Sequence, residues 1–139
     1  APDIIADEVE SYGCIYMFNS CSNLKSIDKI DVKKVGRSGF SNMFYNCQSL
    51  VNIPSILPAT ELADHCYNQM FYNCYLLTQV PELPATELYD HCYDSMFYNC
   101  INLVKAPTEL PATTLKPYCY WRMFYNCSSL VRAPYLPAS

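Results

Sequence analysis

The cysteines are the residues of this 139-residue chain whose spacing best suggests chemistry. Eight of the nine fall into two series with intervals of 26 or 27 residues: Cys21, Cys47, Cys74, Cys100 and Cys127, and then Cys66, Cys92 and Cys119. Regular cysteines of this kind suggest a disulfide framework or a metal site. Zinc sites typically use close pairs such as Cys-x-x-Cys, and the sequence contains none.

The spacing within one repeat also argues against a disulfide framework. Cys66 and Cys74 are expected at opposite ends of a helix, about 12 Å apart along its axis, which is beyond disulfide reach. Free cysteines commonly act as small buried hydrophobic residues. We therefore interpret both series as buried, reduced thiols. Cys14 lies outside both series and is predicted to be the most accessible thiol.

Two histidines occupy equivalent repeat positions, each after an aspartate, as Asp64-His65 and Asp90-His91. Stacked repeats would gather them into a cluster that is either a weak metal site or a surface cluster without function. We favour the second, because both histidines fall outside the predicted apolar stripe. A catalytic site usually breaks the symmetry of a repeat, and no nucleophile is paired with a base. The sequence therefore predicts no enzyme, no catalytic residue, no cofactor and no metal.

A repeated unit must position all these residues. The segment Met-Phe-x-x-Cys occurs five times, and a leucine follows each cysteine after three residues, with another apolar residue three further on. All but the first unit continue with proline and then Leu-Pro. A period in the twenties with this leucine spacing is typical of leucine-rich solenoids. One such unit cannot bury its apolar face alone, so the units are expected to stack.

Each unit predicts one helix and one short strand. Apolar residues from Thr60 to Asn73 recur on one helical face, with Thr60 and Thr86 placed as N-caps and an asparagine where the helix should end. The following Leu-x-x-Val segment predicts a strand. We therefore expect an α/β leucine-rich-repeat solenoid of about five 26–27-residue helix–strand units, with a parallel sheet on its concave side. It forms one domain over residues 1–139, in which 1–16 is a partial or capping unit.

The recurring Phe-x-x-Cys-x-x-Leu-x-x-Ile/Val pattern, with Leu-Pro beyond it, resembles the BspA-like leucine-rich repeat family of bacterial cell-surface proteins. The resemblance covers about residues 12–139. The first unit departs from it, with Ile27 to Asp31 in place of the proline segment and Gly39 in place of cysteine. The resemblance implies an extracellular or surface-attached protein that binds a ligand, with any signal or anchor outside this chain.

Charge and hydropathy narrow the classes of partner. A net charge of −4 does not suit a nucleic acid, and no apolar run approaches the roughly 20 residues of a membrane-spanning helix. Between Arg37 and Lys105 the chain has acidic residues but no Lys or Arg. These acidic middle repeats are either an ordinary solvated face or a patch that prefers cations.

The residues between the strand leucine and the next apolar position differ from unit to unit, and strand geometry turns them at least partly out of the core. The predicted binding residues, on the concave strand face, are Lys25, Asn52, Thr78, Gln79, Glu82, Lys105, Thr108, Arg132 and Tyr135. Together with the resemblance, this face predicts a non-enzymatic binding or adhesion module of a bacterial cell-surface protein that contacts a host protein or glycan. The alternative is a purely structural spacer or stalk that presents another domain. The sequence leaves the ligand and the oligomeric state open.

Overall fold

A computed structural model describes residues 1–137 as a solenoid of units stacked in parallel register. Two strands, β1 (Asp3–Val9) and β2 (Lys29–Val35), pair in parallel. Later units are joined on the same side by isolated bridges, all of them parallel. The predicted solenoid with parallel strand pairing is therefore confirmed.

The predicted helices are wrong, because the described part of the chain contains no helix. Each unit instead carries ten consecutive turn residues, here called a turn ribbon, and the units are numbered 1 to 5 by their ribbons: 11–20, 37–46, 64–73, 90–99 and 117–126. Thr60 and Thr86 are not N-caps. The Thr60 N–H donates to the Lys33 carbonyl at 3.2 Å, and the Thr86 carbonyl accepts from the Thr113 N–H at 3.0 Å, so both belong to extended contacts between units.

Alternate N–H groups of a ribbon point to two kinds of acceptor. The Met43 N–H donates to the Phe40 carbonyl three residues back at 3.2 Å, which closes a turn. The Phe40 N–H donates across to the Cys66 carbonyl of the next unit at 2.9 Å. The same alternation runs along each ribbon as far as the last unit. Overlapping turns and a ladder between units thus satisfy the backbone that a helix would otherwise satisfy.

Every fourth ribbon residue has a positive φ, as His65, Gln69 and Asn73 show at 59°, 53° and 59°. A type II turn requires this conformation at its third residue. It costs an L-residue roughly 1–2 kcal/mol, and asparagine and histidine tolerate it best. Asparagine fills the last of these positions in four ribbons: Asn46, Asn73, Asn99 and Asn126. The asparagine that suggested the end of a helix therefore marks a turn.

The apolar pattern fits both structures, which explains the error. Cys66, Tyr67, Met70, Phe71 and Cys74 are all essentially inaccessible. Their spacing follows the four-residue period of the ribbon. A helical period of 3.6 differs from it by less than one residue over two turns. Nine residues are too few to separate the two periods.

Side chains on the ribbon side stack in ladders with nearly the spacing of β-strands. The Phe71 ring lies 5.4 Å from both Phe44 and Phe97, and the Tyr72 and Tyr98 rings are 4.4 Å apart. Neighbouring strands lie about 4.7–4.9 Å apart. The strand side was predicted to be concave because leucine-rich solenoids carry their strands on the concave side. Its concavity stays a prediction, and the surface is called the strand face below.

Ahead of the first ribbon, β1 pairs in parallel with β2 and so adds a strand to the stack. Gly39 departs from the later cysteines for a packing reason. A Cβ at Gly39 would lie 2.7 Å from Val35 Cγ1, so the valine leaves no room for a side chain. The proposed boundary at residue 16 and the single domain over 1–139 stay predictions, and the last two residues of that range lie outside the described ones.

Candidate binding face

Buried leucines position three columns of short extended segments on the strand face. Leu50, Leu77 and Leu103 anchor the first column and are completely buried, so the residues between anchors turn outward. The first strand column comprises 24–27, 50–53, 77–80, 103–106 and 130–133. The second comprises 28–31, 55–57, 82–83, 108–110 and 135–136. The third comprises 33–35, 60–62, 86–88 and 113–115.

All nine residues predicted to bind a ligand are exposed on this face. Gln79 and Lys105 are directly bridged neighbours in the first column. Glu82 and Tyr135 lie in the second column, where Glu82 is bridged to Ile56 and Tyr135 is bridged to Glu109. The structure therefore groups the predicted residues by column, and it brings Gln79 and Lys105 together as an adjacent pair.

Unit length alternates along the array, which sequence reasoning recorded but did not use. Units 2 and 4 have two residues between proline and the Leu-Pro leucine, as in Pro54-Ser55-Ile56-Leu57. Units 3 and 5 have one residue there, as in Pro81-Glu82-Leu83. One extra residue changes the register, so neighbouring units cannot pair in all three columns at once.

The bridges follow this alternation. The first column is bridged between units 1 and 2, at Ser26 and Asn52, and between units 3 and 4. The second column is bridged between units 2 and 3, at Ile56 and Glu82, and between units 4 and 5. Within residues 1–137, the other contacts in these two columns have no bridge, and units 4 and 5 share only one backbone hydrogen bond of 3.4 Å in the first column. Each unbridged contact leaves strand edges open to solvent.

Four clefts lie at or beside unbridged strand contacts, and another cavity of about 300 Å³ lies elsewhere, lined by residues that include Leu110, Met123 and Leu136. In the second column, two clefts of about 330 Å³ separate units 1 and 2 and units 3 and 4. A third, of about 290 Å³, lies in the third column around units 2 and 3. The largest, about 420 Å³, lies in the first column between units 4 and 5 and is lined by Val104, Lys105, Ala106, Pro107, Thr108, Val131, Arg132 and Ala133. The 26/27 alternation in the sequence was the signal that could have located them.

The largest cleft combines two cations with apolar walls. Val104 and Val131 are 41% and 82% exposed. Lys105 and Arg132 form no salt bridge with any residue in the described range 1–137. The sequence analysis predicted both cations and Thr108 as binding residues, and the two valines occupy the same variable strand positions between the leucine and the next apolar residue. The cleft can accept an apolar group next to an anionic one.

The histidine cluster forms only in part. The His65 and His91 rings stack with centroids 4.8 Å apart, but no hydrogen bond joins Asp64 or Asp90 to either ring in the part of the chain described. His91 Nδ1 instead contacts Asp94 Oδ2 at 2.7 Å. His65 Nδ1 is buried without a partner, since Asn68 stands where Asp94 stands in the next unit. Burial, followed by the nearby His91 and Arg37, lowers the pKa of His65.

His91, Asp94 and Ser95 share hydrogen bonds but do not form a catalytic triad. Ser95 Oγ donates to Asp94 Oδ1 at 2.6 Å, so the aspartate lies between the other two side chains. In a triad the serine must bond to the histidine, which removes its proton. Asp94 is buried, and these two contacts satisfy its carboxylate. The arrangement fixes a polar column of the ribbon and does not activate a nucleophile.

The cysteine series have separate environments. Thiols of the first series donate to the phenylalanine carbonyl of the preceding unit, as Cys74 does to Phe44 at 3.2 Å and Cys100 to Phe71 at 3.2 Å. Burial raises the pKa of Cys47 to about 11, so its thiol stays protonated. The prediction that Cys14 is the most accessible thiol is contradicted. Cys14 is buried because its ribbon position is the one that Phe40 fills in unit 2.

Over residues 1–137, no group of three or more His, Cys, Asp or Glu side chains is arranged to hold a metal ion. Over the same residues, no helix has the length and apolar character needed to cross a membrane.

Comparison with known proteins gives one match. The family model described as "BspA type Leucine rich repeat region" matches residues 4–131 in six copies, one more than the five ribbons. No curated protein and no solved structure matched the chain. Leucine-rich repeat families are generally non-enzymatic, and the match points to no catalytic family.

Proposed function

Because this chain belongs to the BspA-type leucine-rich repeat family, we propose that it is a non-enzymatic binding module of a bacterial surface protein. Repeats of this type are typical of bacterial surface proteins and generally serve in interactions between proteins. The proposed binding site is the strand face, and the proposed ligand is a protein or a glycan outside the cell. The nine exposed residues predicted from the sequence remain its contact candidates.

The observation that carries this proposal is the coincidence of clefts with unbridged strand contacts. Backbone donors and acceptors at such contacts lack ladder partners, and a ligand can hydrogen-bond to them. The clefts are also lined by residues that change between units, such as Lys105 and Arg132 in one and Glu82 in another. A rigid array holds these groups in place before binding, which reduces the entropy lost when a ligand is ordered.

The side chains at the largest cleft support a protein ligand more than a glycan. Val104 and Val131 expose apolar surface that a sugar hydroxyl cannot cover favourably. Tyr135, exposed in the neighbouring column, can cover apolar groups and donate a hydrogen bond. Protein interfaces characteristically combine such apolar and aromatic contacts with a polar rim.

The test begins with a screen of the purified chain against arrays of surface proteins and glycans. Once a ligand is found, the double variant Gln79→Ala/Lys105→Ala should weaken its binding at least tenfold. The matched control is Asp64→Ala/Asp90→Ala, which changes ribbon residues and should leave binding within about twofold. The reverse result would move the site to the ribbon side. A chain that binds nothing in either screen would support the spacer or stalk.

A further inference from the structure

We propose that Cys66 and Cys92 are an oxidation site, and that they form a disulfide bond linking units 3 and 4 when the chain folds in an oxidising environment. This inference is independent of the proposed binding function. It concerns the ribbon side of the solenoid, and neither cysteine lines a cleft of the strand face.

The two thiols are already in contact. Their Sγ atoms lie 2.8 Å apart, and both side chains are completely buried. The Tyr67 N–H donates to the Cys92 carbonyl at 3.1 Å, so the two cysteines sit in register on neighbouring rungs of the ribbon ladder. Rungs at the β spacing of about 4.8 Å place the Cα atoms within the roughly 4.4–6.8 Å that disulfides span. The Sγ–Sγ distance of 2.8 Å exceeds the disulfide bond length of about 2.0 Å by less than 1 Å.

The residues next to each cysteine distinguish Cys66 and Cys92 from the other cysteines. On the other side of Cys66 in its column is Gly39, which has no sulfur atom. On the other side of Cys92 is Cys119, which makes no sulfur contact with it within the described residues. Four thiols of the first series donate their hydrogen to a phenylalanine carbonyl and would lose that bond on oxidation, those of Cys47, Cys74, Cys100 and Cys127. Within residues 1–137, the side-chain hydrogen-bond partner of the Cys66 thiol is the Cys92 thiol.

The reaction requires an external disulfide as oxidant. The thiolate of one cysteine attacks the external disulfide and releases one external thiol, which leaves a mixed disulfide on the protein. The second cysteine then attacks the protein sulfur and releases the other external thiol. Two protein thiols and one external disulfide become one protein disulfide and two external thiols. Since both side chains are inaccessible in the native fold, we expect this exchange during folding, before the ribbons pack.

The test is oxidative refolding of the whole chain in a mixture of oxidised and reduced glutathione. Free thiols are then alkylated under denaturing conditions, and the chain is digested without reductant. We expect a linked peptide pair containing Cys66 and Cys92, seven alkylated cysteines, and a mass before alkylation lower by two hydrogen atoms. Oxidised protein should also unfold at a higher denaturant concentration than reduced protein, because the link restricts the unfolded chain.

Cys119→Ala is the matched control, since it removes the next thiol of the same column and should leave the link intact. Cys92→Ala should abolish the link and yield no other disulfide. Nine alkylated cysteines in the refolded wild-type chain, or a Cys92–Cys119 link in its place, would overturn the proposal. The wild-type result decides the matter even if Cys92→Ala fails to fold.

Discussion

Substitutions at Asn99 should distinguish the turn ribbon from a helix by their order of stability. Asn99 has a φ of 59°. Its Nδ2 donates to Asn73 Oδ1 at 3.0 Å, and its own Oδ1 accepts from Asn126 Nδ2 at 2.8 Å. It therefore combines a left-handed backbone with two bonds of a side-chain ladder. Asn99→Ala should be more destabilising than Asn99→Gly.

The magnitude follows from these two contributions. Loss of two hydrogen bonds, at about 0.5–1.5 kcal/mol each, costs Asn99→Ala about 1–3 kcal/mol. The left-handed conformation costs an L-residue about 1–2 kcal/mol, and alanine bears more of this cost than asparagine does. We therefore expect a loss of about 2–4 kcal/mol. Asn99→Gly loses the same bonds but carries no left-handed strain, so its loss should be about 1 kcal/mol smaller. Inside a helix the order would reverse, because alanine is favoured over glycine there by about 1 kcal/mol.

Chemical denaturation of the three proteins measures this order, and a far-UV circular dichroism spectrum without helical character should accompany it. Asn68 is the matched control, being a half-buried asparagine of a ribbon whose φ is not positive. There Asn68→Gly should be more destabilising than Asn68→Ala. An Asn99→Ala variant as stable as the wild type, or more stable than Asn99→Gly, would refute the ribbon geometry.

Three further results are expected. Leu77 is completely buried with units on both sides, so Leu77→Ala should lower the free energy of unfolding by about 2–5 kcal/mol. Leu130→Ala, at a half-buried position of the last unit, should lower it less. Equal losses in urea unfolding would contradict the stacking order. The pKa of His65 in the folded state lies below its unfolded value of about 6.5, so the stability that its neutral ring contributes should be complete above about pH 6.5 and decline as the pH falls below it. His65→Gln should flatten the dependence of the unfolding midpoint on pH. An unchanged slope would count against the burial of the ring. In reduced native protein, half-buried Cys21 should react with a thiol reagent before fully buried Cys47, as peptide mass spectrometry can follow.

The sequence was sufficient to predict the stacking, because it depends on repeated core residues. Phe44, Phe71 and Phe97 recur in register, and only a parallel stack can place equivalent rings 5.4 Å apart in one ladder. The same recurrence predicted the exposure of the residues between the strand leucines. These conclusions need the period of the array but not the local conformation within one unit.

Local conformation on the ribbon side could not be predicted by the same reasoning. Paired apolar residues such as Met70 and Phe71 suit a turn ribbon and an amphipathic helix alike. The residue types at positive φ offered the only separate signal. Asparagine and histidine there are common in left-handed conformations, but Tyr118 and Arg122 are not, and no positive-φ residue in the described chain is glycine. The ladder between units, rather than the preference of each residue, holds these turns in place.

The ribbon ladder is continuous and the strand pairing is interrupted, so the stack can be rigid while the strand-face residues vary from unit to unit. The ribbon ladder crosses every contact between units, and its alternate N–H donors keep their partners whether a unit has 26 or 27 residues. The extra residue of units 2 and 4 lies on the strand face, as Ser55-Ile56 and Thr108-Glu109 show, so the change of register is confined there. Ladder bonds lost at one strand column are made at another. Strand-face residues are therefore released from pairing at regular intervals without loosening the stack, which is the condition that a binding surface on a repeat array requires.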